Sequence, residues 1–141
     1  KESKSWQGAC KMICLDSTFI IDLLLNRENA IKKLGEIKGR KSFTTAITEY
    51  EVMAGAYFKN YSSKKIEKIV SLFNSIPVLS FDSNAALMAS DIAAELSKSG
   101  KSIGGQDCMI AGIMLSNNCN EIITGNKKHF ERIPQIKASS Y

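Results

Sequence analysis

Three acidic side chains stand where a folding chain would normally place apolar ones. Asp16 closes a short apolar run, MICL, and further apolar residues follow at once. Glu51 shares a helical stripe with Ile47, Tyr50, Ala54 and Tyr57, whereas Glu49 falls off it and is expected to be solvated. Asp107 sits one turn before Ile110, Ala111, Met114 and Leu115, the inner face expected for its helix. Taken singly, each acid has an ordinary role: Asp16 as a helix cap, Asp107 as a first-turn acid, Glu51 as a side chain reaching to the helix edge. Together they ask for a common partner, because a buried carboxylate costs free energy unless it is paired or bound to metal. No Arg or Lys is placed to pair with all three. Converging carboxylates would attract a hard divalent cation, Mg²⁺ or Mn²⁺.

The elements that must position these acids follow from periodicity and punctuation. Residues 12–15 read as a buried strand and 17–25 as an apolar helix, with Asp16 or Ser17 at its cap. A second helix is expected over 28–38, with Ala30, Leu34 and Ile37 inward and Gly39 ending it. Residues 42–45 read as a strand, 46–58 and 62–75 as a helical hairpin turning at Asn60, and 77–81 as a third strand. A helix capped by Asp82 or Ser83 runs to Lys98, a loop spans 100–105, and a further helix covers 107–117. Residues 121–124 form a fourth strand, 127–130 a short helix and 136–138 an edge strand. Strands alternating with helices make an α/β chain, a three-layer sandwich around a parallel sheet. Such sheets carry their sites outside the carboxyl ends of the strands. Asp16 and Asn126 both fall at that edge.

The totals agree with one domain over residues 12–141. The chain has 141 residues, 44% of them apolar and 23% charged, which is enough for a core and argues against wholesale disorder. Residues 1–11 are polar and read as a foreign leader or a disordered extension ahead of Met12. Net charge is +5, in keeping with a polyanionic partner. Lys32, Lys33, Lys38, Arg40 and Lys41 form one basic cluster, and Lys64, Lys65 and Lys68 another; the ordinary reading of either is a solvated helix face. The four cysteines match no zinc spacing and read as reduced thiols, so a cytoplasmic setting is expected. The longest apolar stretch is broken by Asp22, so no membrane span is expected. Asp22 and Asp91 read as helix-surface acids, and His129, the one histidine, as a packing or surface residue. No Walker or dinucleotide glycine motif occurs, and GKSIGG is only a glycine-rich loop.

Four stretches in order, LDSTFIID, ITEYEVMAG, SIGGQDCMIAGIML and IITGNKKHFERI, resemble the motifs of PIN-domain ribonucleases, in particular the compact VapC-type toxins of toxin–antitoxin pairs. The resemblance spans about residues 12–138. It implies a PIN-like α/β/α sandwich with a mostly parallel sheet of four to five strands. It places Asp16, Glu51 and Asp107 as metal-binding catalytic acids, with Thr48 and Gly55 flanking Glu51 in register. Thr124 and Asn126 occupy the last motif, where many members carry a further aspartate, and Asn126 is implied as a fourth catalytic residue. Ser17, Thr48 and Thr124 are implied as residues that orient carboxylates or water. The implied chemistry is Mg²⁺- or Mn²⁺-dependent hydrolysis of RNA, giving 5′-phosphate and 3′-hydroxyl ends, with the basic residues on the RNA backbone. A homodimer and a small antitoxin protein are the implied partners, and the hairpin over 46–75 is the candidate groove and dimer surface. Two other readings stay open: an RNA-processing PIN nuclease outside any toxin–antitoxin pair, and a catalytically silent RNA-binding module, which the neutral Asn126 allows.

Overall fold

Ile13, Cys14 and Leu15 are all buried, and they alternate between two separate cores. Cys14 packs with Phe43, Ile122 and Phe130 on one side, while Ile13 and Leu15 pack with Phe19, Val52 and Ile123 on the other. A strand buried on both faces reads as a continuous apolar run and belongs to the middle of a parallel sheet. The computed structural model, which describes residues 12–141, has that architecture. The expectation for residues 1–11 lies outside the described residues.

Five strands, β1 (Ile13–Leu15), β2 (Ser42–Thr45), β3 (Val78–Leu79), β4 (Glu121–Ile123) and β5 (Lys137–Ser139), form one sheet in the order β3-β2-β1-β4-β5. Every pairing is parallel. Helices α1 (Ser17–Leu24), α2 (Glu28–Glu36), α3 (Ala46–Phe58) and α4 (Ser63–Ser75) contribute the core of one face. Helices α5 (Ser83–Lys98), α6 (Gly105–Ser116) and the short α7 (Lys127–Phe130) contribute that of the other. Helix α6 lies so close to α5 that a Cβ on Gly112 would stand 2.5 Å from the Ala85 carbonyl oxygen. Among the described residues no helix is long and apolar enough to cross a membrane.

The chain leaves β1 toward β2 and β3, then returns to place β4 and β5 on the opposite side. Strand order therefore switches between β1 and β4, the crevice where open α/β sheets bind ligands. Asp16 directly follows β1 and Thr124 directly follows β4.

Four expectations change. The third strand contracts from 77–81 to Val78–Leu79, an edge strand with a single neighbour, and the last strand shifts to Lys137–Ser139. Leu34 is exposed; the buried residues of this segment are Ala30 within α2 and Ile37 at its C-cap. In α3 the inner residues are Thr48, Val52 and Ala56, while Tyr50 and Tyr57 are 61% and 62% exposed. That helix is apolar on nearly every side, so periodicity alone does not single out its inner face. The polar Thr48 can be buried because its hydroxyl and amide both meet the Thr45 hydroxyl, at 3.0 and 3.1 Å.

Candidate active site at the carboxyl edge of the sheet

Asp16 occupies the cap position of α1 with extended backbone, yet its side chain makes no capping bond. The carboxylate turns instead toward β4, where Thr124 Oγ1 donates to Oδ2 at 2.6 Å. Thr124 Oγ1 in turn accepts from the Asn126 amide at 2.8 Å. Both Asp16 and Thr124 are buried. Burial pushes the Asp16 carboxyl above its ordinary pKa; the Thr124 and Ser17 hydrogen bonds pull it back in part, and the Asp107 charge adds to the rise. The loop after β4 is also clamped to α1, because the Gly125 amide donates to Thr18 Oγ1 at 2.7 Å.

Glu51 projects from α3 beside the inner stripe of Val52 and Ala56. Its Oε1 is buried and has no hydrogen-bond partner. Burial raises its carboxyl to about 7, with further upward pushes from Asp16 and Asp107 and a downward pull from the Ser17 hydroxyl. Asp107 lies in the first turn of α6, with 15% of its side chain exposed. Asp16 and Glu51 both feel the Asp107 charge, and Glu51 feels that of Asp16, so the three acids share one neighbourhood at this edge of the sheet.

They do not form a closed cage. Among the described residues no three His, Cys, Asp or Glu side chains sit close enough to constitute a ready metal cluster. The donor set nonetheless fits a hard divalent cation: carboxylate oxygens only, mutual repulsion to be relieved, and one buried oxygen with nothing bound to it.

The other expected residues divide. Thr124 holds Asp16 directly, and Ser17 lies beside Glu51. The Thr48 hydroxyl is engaged with Thr45 at the start of α3 and not with the acids, so it fixes the helix that carries Glu51. Asn126 comes to the rim through its main chain, while its side chain is exposed and makes no capping bond. Lys38, Arg40 and Lys41 precede β2 and so lie at the amino edge, across the sheet from the acids. Arg40 is bonded there to both Glu121 carboxylate oxygens, at 2.7 and 3.1 Å, which leaves it ill placed for an RNA phosphate at the acidic edge. Lys32 and Lys33 lie on α2, where Lys33 is 3.7 Å from Glu36.

Sequence reasoning missed two features. His129, expected to pack or sit on the surface, lies with Nδ1 3.0 Å from Asp107 Oδ2. Its place just beyond a strand at the site edge was the available signal. Asp22, expected on the surface, accepts a 2.6 Å bond from the Tyr141 hydroxyl. Beside Glu51 a cleft of about 170 Å³ opens between α1, α3 and α4, with Leu24, Leu25 and Ile69 on its walls and Lys59, Lys65 and Lys68 around them.

Comparison with known proteins identifies the family and the fold. The family model described as PIN domain matches residues 13–136. The chain is 28% identical over 127 residues to the tRNA(fMet)-specific endonuclease VapC of Salmonella typhimurium, covering 90% of this chain and 96% of that protein. Among solved structures, VapBC-1 from nontypeable Haemophilus influenzae matches with a TM-score of 0.78 and 29% identity, over 92% of this chain and 97% of the other. The fold is also that of VapBC2 from Rickettsia felis, at a TM-score of 0.82 and 18% identity, over 92% of this chain and 98% of the other.

Proposed function

The chain belongs to the PIN-domain family, and from that premise we propose that it is a metal-dependent endoribonuclease, the toxin of a toxin–antitoxin pair. The single observation that supports this reading is the buried, unpartnered Oε1 of Glu51, on a carboxyl raised by burial and by the Asp16 and Asp107 charges near the switch point of the sheet. Asp16, Glu51 and Asp107 would hold Mg²⁺ or Mn²⁺, which when bound supplies charge neutralisation for the phosphate and a water of lowered pKa. The chain's own residues do the rest. Thr124 keeps Asp16 aimed into the crevice instead of at its helix cap. Ser17 steadies Glu51. The exposed Asn126 is left at the rim, able to hold a water or a phosphate-bound solvent molecule without adding charge. Hydrolysis of an RNA phosphodiester to 5′-phosphate and 3′-hydroxyl ends is the expected reaction, and a transfer RNA is the first substrate to offer, given the Salmonella relative.

The partners follow on the same footing. The apolar cleft beside Glu51 has room for a few side chains and suits a short segment of a small antitoxin protein. The outward Tyr50, Tyr57 and Phe58 of α3 suit a homodimer surface.

The test is to incubate the purified protein with transfer RNA and structured RNA, with Mg²⁺, Mn²⁺ or EDTA, and to map the ends. Cleavage that needs the cation and disappears in Asp107→Asn supports the reading. A folded protein, free of any antitoxin, that binds RNA and never cuts it would make the chain a silent RNA-binding module.

A further inference from the structure

His129 and Asp107 are joined by a 3.0 Å contact between elements that are distant in sequence. Asp107 comes from the first turn of α6, and His129 from the short helix just beyond β4. A second bond ties the same two segments: Arg132 Nη1 donates to the Ser102 carbonyl at 2.7 Å. Phe130, the neighbour of His129, is fully buried and anchors the helix in the core. The imidazole is therefore delivered to Asp107 by a bracket of three contacts, and its own bond is one of them. Its exposed position at 48% leaves the far side of the ring open.

An aspartate side chain with no fixed partner rotates about its two torsions. A ligating carboxylate is commonly held by a hydrogen bond from outside the metal sphere, and losing that bond weakens the site. We propose that His129 is a positioning residue for Asp107: its Nδ1–H donates to Oδ2 and fixes the carboxylate, leaving the other oxygen uncommitted. The proposal rests on the metal-dependent reading of the site given above. It assigns His129 no contact with the cation and no proton transfer to substrate.

The two ring nitrogens make the idea testable. The chain has one histidine, so imidazole nitrogen resonances report His129 alone. In the metal-free protein with a neutral ring, the Nδ1–H tautomer is required, and an Nε2–H tautomer overturns the proposal. Variants give the second readout. His129→Asn carries an amide N–H near the place of Nδ1–H, whereas His129→Gln reaches toward the place of Nε2. Calorimetric Mn²⁺ affinity should fall about 10- to 100-fold in His129→Ala, recover in His129→Asn and stay low in His129→Gln. For RNA cleavage, kcat should follow the same order with KM unchanged. Mn²⁺ binding as tight in His129→Ala as in the wild type overturns the proposal. So does recovery by Gln and not by Asn, a comparison that holds even where the Ala variant does not fold. A wild type that neither binds Mn²⁺ nor cuts RNA would instead sink the ribonuclease reading, and the tautomer would still decide whether His129 donates to Asp107.

Discussion

Glu51 keeps one carboxylate oxygen buried and unpaired, and burial with two neighbouring acids lifts its carboxyl to about 7. The folded protein without metal therefore binds this proton more tightly than the unfolded chain does, whose carboxyl titrates near 4.5. Stability from this group is greatest below about pH 4.5 and falls as pH rises through about 7. The raised Asp16 carboxyl acts in the same direction. Urea midpoints measured in EDTA at about pH 5 and about pH 8 should show the loss in the wild type, and Glu51→Gln should flatten the difference. An equal loss in the Gln variant would mean that Glu51 is not the strained group. The cation reverses the sign at this residue, since it binds the ionised form and stabilises it more strongly as pH rises. The burial of Asp16 was legible in the sequence, because an acid closing an apolar run stands out, whereas Glu51 lies beside Val52 and Ala56 and not on the Tyr50–Tyr57 stripe that singled it out. The contact of His129 was not legible, because nothing in the KKHF stretch says which way a four-residue helix turns.

At the scale of elements, the strands and helices follow from period and punctuation wherever the contrast is strong. The buried run at Ile13–Leu15 marks a central strand, and the Asp82 side chain caps α5 by accepting from the Ala85 amide at 2.9 Å. The reading loses force where contrast is weak. In α3 tyrosines face water while a threonine is buried, because a local hydroxyl pair satisfies that threonine, and only the folded chain shows the pairing. The α5–α6 contact is a second feature that periodicity does not announce. Gly112 there leaves no space for a methyl group: its Cβ would meet the Ala85 oxygen at 2.5 Å and the Ala89 Cβ at 2.8 Å. Helix propensity favours Gly112→Ala by about 1 kcal/mol. Overpacking against backbone costs about 1–3 kcal/mol. The clash should win, and the variant should unfold at lower urea with an unchanged slope. A variant as stable as the wild type would show that the two helices part without cost. Since α6 carries Asp107, any parting of the pair also displaces that acid.

For the whole molecule, the net charge of +5 matters through its distribution. Lys38 and Lys41 sit at the amino edge of the sheet, whereas Lys127 and Lys128 open the helix beside the acids. Reversing Lys127 and Lys128 to Glu should weaken RNA binding and lower the salt slope by about 0.7 per lost phosphate contact on a single strand. Reversing Lys38 and Lys41 should change the slope much less. Equal effects from the two pairs would show that the RNA lies along both edges. The clustering of basic residues was visible in the sequence, but the edge each cluster occupies depends on strand order, which no local pattern carries. The central claim is that Asp16, Glu51 and Asp107 share one divalent cation. Its most direct test is Mn²⁺ titration calorimetry on the wild type and on Asp16→Asn, Glu51→Gln and Asp107→Asn, each verified as folded. The account predicts a site in the wild type that every single replacement weakens strongly. A site that survives all three replacements, or a folded wild type with none, would contradict it.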